Sequence, residues 1–148
     1  MFQKVLFIGL IFISNQLYSD NYDFKPGLWE TTTTSEVVEI NAPPEIKKMM
    51  QHMSQMPMAT ETECINSIGS LLDAEPDDAE ECKTTINHVN SKKVTFEMLC
   101  TGEDGSSKGS GEINLKGKTF TSSFVITSIN GLIEMKMKIV SNGKYVGA

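Results

Sequence analysis

Apolar and polar residues alternate with a period of two along most of the chain. Val94, Phe96, Met98 and Cys100 fall on one side of an extended backbone, and Phe120, Ser122, Phe124 and Ile126 on one side of a second. Ile133, Met135, Met137 and Ile139 fall on one side of a third, while Ile86 alternates among Thr and Asn neighbours. Asn90-Ser91-Lys92, Asp104-Gly105, Lys116-Gly117, Asn130-Gly131 and Asn142-Gly143 punctuate these runs with turn-forming residues. Short turns between alternating strands predict sequential antiparallel hairpins, a β-meander with one apolar face.

Upstream, Pro26-Gly27 marks a turn, and the Thr- and Val-rich run that follows predicts a first strand over Leu28–Ile40. Asn41 and the pair Pro43-Pro44, with Glu45 in the first turn, then carry a helix-start signature. Ile46, Met49, Met50 and Met53 follow at i, i+3, i+4 and i+7, one helical stripe, and Pro57 ends it. "MATETEC" reads as a short strand delivering Cys64, and a helical turn fits around Ile68 to Leu72 before an acidic loop. The fold class expected is mainly β: an antiparallel β-meander forming a curled sheet or half-open barrel, with one short amphipathic helix after the first strand. The sheet covers its apolar face either by curling or by taking the Met-bearing helix across it. Trp29 and Tyr145 are expected to pack where the first and last strands meet, sealing a barrel or rimming a ligand cleft.

The alternation also bears on covalent bonding. A hairpin centred on Ser91 sets Ile86 opposite Phe96, Thr84 opposite Met98 and Cys82 opposite Cys100. That register matches apolar faces independently of the cysteines. Directly opposed strand residues lie about 4.5–5.5 Å apart at Cα, within disulfide range. A Cys82–Cys100 bridge is therefore expected, with Cys64 left as an unpaired thiol. A bulge near the turn would slip the register and favour Cys64 as a partner instead.

An oxidised cysteine pair fits the N-terminus. Residues 1–19 read as a cleavable export signal: Lys4, the apolar run "VLFIGLIFI" from Val5 to Ile13, and polar "SNQLYS" ending at Ser19. The apolar run falls short of the roughly 20 residues that span a bilayer. Residues 20–148 then form a single exported domain, with no stable membrane span once the signal is removed. Losing Lys4 changes 13 basic and 19 acidic residues to 12 and 19, a net charge of −7. Every basic residue is lysine. Without guanidinium groups an acidic chain makes a poor grip for phosphate or nucleic acid, and an anionic membrane surface is disfavoured for the same reason.

Few residues offer chemistry. "MMQHMSQMPM", residues 49–58, holds five of the nine methionines, and Met49, His52, Met53 and Met56 form a possible Cu(I) or Ag(I) site because thioethers are soft ligands. The competing explanation is a packing stripe in which methionine fills gaps on the sheet. Asp73, Asp77 and Asp78 lack the spacing of a calcium loop. His88 shares a strand face with Ile86 as a potential buried base, but no serine or cysteine motif points to it. Phosphate loops, CxxC pairs and zinc spacings are absent from the sequence.

Taken in order, "KPGLWE", "MSQMPM" before "TETEC", "EECK", "FEMLCTG", "GSGEI" and "NGKYVG" resemble domain-of-unknown-function family 3617. The resemblance implies a small exported protein of Gram-negative bacteria with no assigned activity. Chains of that family commonly carry a fourth cysteine after a glycine-rich turn, where this sequence reads "YVGA". If the family forms two bridges, the resemblance implies that Cys64 has lost its partner, and is either an inert buried thiol or a handle for an intermolecular disulfide. The functional expectation is a periplasmic, non-enzymatic binding module for a small or apolar ligand or another envelope protein, needing no cofactor. The alternative is soft-metal binding through residues 49–58, and an enzyme using His88 with carboxylates comes third.

Overall fold

The β-branched run that opens the domain forms a 15-residue strand, β1 (Gly27–Asn41). Threonine, valine and isoleucine lose little side-chain freedom on a pleated surface, which favours so long a strand. The computed structural model describes residues 22–52, 58–72 and 81–148. Helix α1 (Pro44–His52) follows, then β2 (Ala59–Ile65), a single 3-10 turn (Gly69–Leu71), and five strands: β3 (Glu81–Asn90), β4 (Lys93–Thr101), β5 (Ser106–Leu115), β6 (Thr119–Asn130) and β7 (Ile133–Gly147). The proposed signal segment, Met53, Met56 and the acidic run with Asp73, Asp77 and Asp78 lie outside the described residues.

All seven strands among the described residues belong to one antiparallel sheet in the order β2-β1-β7-β6-β5-β4-β3. Strands β3 to β7 form the meander that the alternation predicts. The first and last strands do meet, with Trp29 opposite Tyr145. They do not seal a barrel, because β2 pairs on the far side of β1, and β2 and β3 are the two sheet edges.

The β3–β4 hairpin shows how its register arises. Asn90 pairs with Lys93 around the two-residue loop Ser91-Lys92, and a bulge between His88 and Asn90 then shifts the pairing by one. From His88 opposite Val94 onward the register is the expected one, and Cys82 faces Cys100. The bulge therefore brings the cysteines together instead of parting them. The β6–β7 hairpin has its own geometry: Asn130 pairs with Ile133, and the loop is Gly131-Leu132. Gly131 has φ +58°, a left-handed conformation in the two-residue loop that glycine adopts at little cost.

One side of the sheet is concave and carries the core. Trp29, Ile65, Val94, Ile113 and Leu115 are almost completely buried, and Ile68 and Phe120 nearly so. They cluster at the lower end of the sheet, beside the β3–β4 and β5–β6 turns. Two segments cover them: residues 22–25 ahead of β1, and the stretch around the 3-10 turn after β2. The Asp23 amide donates to the Ser91 carbonyl at 2.6 Å, and the Gly117 amide to the Asp23 carbonyl at 2.9 Å, fastening the leading segment across both lower turns. Trp29 stacks on Phe24 at 4.8 Å with 6° between the planes, and meets Tyr145 edge-on at 5.7 Å. Its indole N–H donates to the Lys25 carbonyl at 2.9 Å, so the buried ring keeps no unpaired donor.

Glycine lets the inner face carry large rings. A Cβ on Gly143 would sit 1.9 Å from the Phe120 ring, and one on Gly109 would sit 2.4 Å from the Phe124 ring. Each ring lies flat across the neighbouring strand where a side chain is missing, an arrangement that suits a curled sheet.

The sheet is covered by its own curl and by these two segments, not by α1. No residue of α1 is buried, and Met49 is 62% exposed. Of the two alternatives for the apolar face, the Met-bearing helix laid across it is not the one found for the described stripe residues Ile46, Met49 and Met50, with Met53 outside the described residues. Helical period reveals an apolar stripe but not what it faces.

Candidate functional site

Above the core, the inner face is left as a cleft of about 430 Å³. This volume falls within the range of small-molecule sites, about 300–1,000 Å³. Its walls follow from strand register. One row of directly paired residues crosses the sheet as Thr33, Ser141, Ser122, Ile113 and Val94. Its β1, β7 and β6 members carry hydroxyls, and its β5 and β4 members are aliphatic. The next row up, Ser35, Ile139, Phe124, Gly111 and Phe96, is more apolar. Leu71 and Leu72 close the cleft from the segment after β2, and Met98 and Thr84 reach it from the β3–β4 hairpin.

The polar side of this cleft has a defined chemistry. The Thr33 and Ser141 hydroxyls are hydrogen-bonded at 2.9 Å. Thr31, one pleat repeat closer to Trp29, has a buried hydroxyl oxygen with no hydrogen-bond partner. Glu63 is an exposed lining residue and the cleft's one ionisable group among the described residues. Lysines gather on the opposite side of the sheet, where Lys83, Lys108 and Lys136 line a broader hollow of about 570 Å³ with Glu97. The resolved pKa shift is also away from the cleft: Lys93 and Asn114 hydrogen-bond the Glu112 carboxylate and hold it below its ordinary range.

The residues singled out from sequence lie elsewhere. Cys82 and Cys100 form a disulfide between β3 and β4, with Cα atoms 4.0 Å apart. Cys64 is a free thiol on β2, and it is exposed, which corrects the expectation of an inert buried group. Met49 and His52 are exposed on α1, while their proposed co-ligands Met53 and Met56 fall outside the described residues. Among the described residues no three His, Cys, Asp or Glu side chains converge as a metal-binding group. His88 is exposed on β3, not buried, and meets the Tyr22 ring edge-on at 4.8 Å, away from the cleft. Its strand is a sheet edge, so sharing a face with Ile86 does not bury it. No described helix is long and apolar enough to cross a membrane, which leaves spanning by strands unaddressed.

The alternation places the apolar cleft residues Phe96, Met98, Phe124 and Ile139 on shared strand faces, but apolar period leaves the hydroxyls of β1 unmarked. Thr31 and Thr33 stand in phase with Trp29 within "WETTTT", and that phase was the available signal for hydroxyls on the inner face.

The family model described as "Protein of unknown function (DUF3617)" matches residues 24–148. The chain belongs to this family. In DUF3617 terms the match takes in every strand and the whole cleft. The family description names no activity. No curated protein and no solved structure matches the chain.

Proposed function

We propose that this DUF3617 protein is an exported, non-enzymatic binding module that holds a small apolar or amphipathic molecule in its inner-face cleft. The cleft itself carries this reading. Phe96, Met98, Phe124 and Ile139 offer apolar surface in a concavity of small-molecule size, next to a hydroxyl-bearing wall. General acid–base or nucleophilic chemistry needs at least a second positioned group, and Glu63 has no titratable companion among the described lining residues. A disulfide joining two strands supports folding in an oxidising compartment such as the periplasm, as the sequence of residues 1–19 also implies.

The test is a titration with the uncharged fluorophore N-phenyl-1-naphthylamine. Saturable, blue-shifted emission at one probe per chain is expected, weakened by Ile139→Asp. A signal that never saturates, or that Ile139→Asp leaves unchanged, overturns the proposal.

Soft-metal binding by α1 is favoured by a separate observation. Since α1 buries none of its residues, packing on the sheet does not account for its methionines. Native mass spectrometry with Ag(I) would show a 1:1 adduct, lost on replacing Met49 and His52 with alanine. Absence of that adduct removes the idea.

A further inference from the structure

The polarity gradient across the cleft narrows the class of ligand. We infer that the occupant is a single-chain amphiphile whose head group donates hydrogen bonds and carries no negative charge. This rests on the apolar-cleft reading above and specifies the head group that the cleft selects.

Three observations converge on the β1 side of the cleft. Thr31 places a buried, unpartnered hydroxyl oxygen on the inner face. Buried polar atoms in proteins are almost always paired, so an unpartnered one lining a cleft marks a place for a ligand's polar group. Glu63 lies on the neighbouring strand, opposite Trp29 and so on the same face as Thr31. It adds a carboxylate, which accepts hydrogen bonds and donates none when ionised. Thr33 and Ser141 hydrogen-bond each other, and Ser122 and Thr84 add hydroxyls farther along the lining, so Thr31 and Glu63 are the acceptors on the β1–β2 side outside that pair.

Charge decides the rest. No lysine lines the cleft among the described residues, and Lys83, Lys108 and Lys136 point from the other side of the sheet. A fatty-acid carboxylate would therefore meet a like charge and no cation. An ammonium or hydroxyl head, by contrast, finds an acceptor at Glu63 and another at Thr31, while its alkyl chain lies along Phe124, Phe96 and Met98. The hydroxyl row Thr33, Ser141 and Ser122 sets the head on the β1 side and the chain on the β5 side, so the ligand lies across the strands.

Displacement of N-phenyl-1-naphthylamine by three probes of equal chain length, each below its micelle concentration at pH 7, tests the inference. Dodecylammonium is expected to displace the fluorophore at a concentration at least tenfold lower than dodecanoate, with dodecanol between them. Glu63→Gln should remove most of the ammonium advantage and weaken dodecanol far less, because the glutamine carbonyl still accepts a hydrogen bond. Thr31→Val should weaken dodecanol and dodecylammonium several-fold more than it weakens the fluorophore. Equal or tighter displacement by dodecanoate overturns the inference, as does an ammonium preference that survives Glu63→Gln. In both cases fluorophore binding persists, so the apolar-cleft reading stands. If the fluorophore itself fails to bind, both fall together.

Discussion

The lower and upper reaches of the inner face share the same strands, yet they are held in different ways. Below, Trp29, Ile113, Leu115 and Phe120 are closed over by residues 22–25 and by Ile65, Ile68 and Leu71. Above, Ile126, Met135, Met137 and Ile139 continue the same alternation but are only half-buried. The edge hairpin there is fastened covalently by Cys82–Cys100. One pattern of residues thus makes a core where a second layer of chain crosses it and a cleft where the described chain does not. Burial supplies stability below, a disulfide supplies it above, and the uncovered apolar surface is left for binding.

The largest effect should come from breaking the lower layer. Trp29→Ala removes a fully buried ring that stacks on Phe24 and touches Phe120 and Tyr145. The expected loss is about 3–5 kcal/mol. For a domain at the lower end of ordinary stability, about 5–15 kcal/mol, this approaches the whole margin. Urea denaturation followed by circular dichroism should show a midpoint near zero or no native baseline. A loss below about 1 kcal/mol would mean that the lower end is not the anchor.

Next is the covalent fastening of the upper edge. Replacing Cys82 and Cys100 together by alanine opens a loop with 18 residues of sequence separation. The stability lost should be about 3 kcal/mol in the chain-entropy picture. Because β3 and β4 carry Thr84 and Met98 into the cleft, fluorophore affinity should fall as well. Unchanged affinity in a destabilised variant would show that the disulfide serves the fold alone.

How far this division was legible in the sequence depends on the distance over which each feature is encoded. The first strand and the turn after Ile68 are local patterns of period and punctuation, and they emerge within a residue or two of their expected bounds. By contrast, β7 runs straight through the turn expected at Asn142-Gly143, and the end expected for α1 at Pro57 lies outside the described residues. The Cys82–Cys100 pairing is also local, a consequence of hairpin phase. Which part of the inner face is covered is a different matter. It depends on Tyr22 and Phe24 crossing to the β3–β4 and β5–β6 turns, and on Ile65 and Ile68 returning over the sheet from an edge strand. Neither follows from periodicity. The methionine stripe on α1 has the same ambiguity, because amphipathicity specifies a face and not its partner. Thr31 and Thr33 were readable only once Trp29 had fixed which phase of β1 points inward.

A third substitution should separate binding from stability. Phe124 is half-buried, with its ring lying over Gly109 beside the cleft. Phe124→Ala is expected to cost about 1–2 kcal/mol, less than a fully buried ring because part of its surface is already wet. Fluorophore affinity should drop at least tenfold in the same variant. A large stability loss with intact binding would invert the contrast and make the upper reach a core in its own right.

The smallest effect concerns the outer face of the lower end, where Lys93 Nζ lies 2.7 Å from Glu112 Oε2 and Asn114 Nδ2 donates to Oε1 at 3.0 Å. These hydrogen bonds to Lys93 and Asn114, then the Lys93 charge, hold the Glu112 carboxyl below its ordinary value of 4.5. A group whose folded pKa is lowered contributes its stability above the unfolded value and loses it as pH falls through the folded one. Glu112→Gln should therefore lower the urea midpoint slightly at pH 7, and the two proteins should converge as the pH falls through the lowered folded value, below the ordinary carboxylate range. Both side chains are well exposed, and solvent screens such pairs, so the difference should shrink further in high salt. A midpoint gap that persists in acid would assign the effect to the packing of residue 112 and not to its charge. A gap as large as that of Trp29→Ala would mean that the lower end is held by its outer surface as much as by its core.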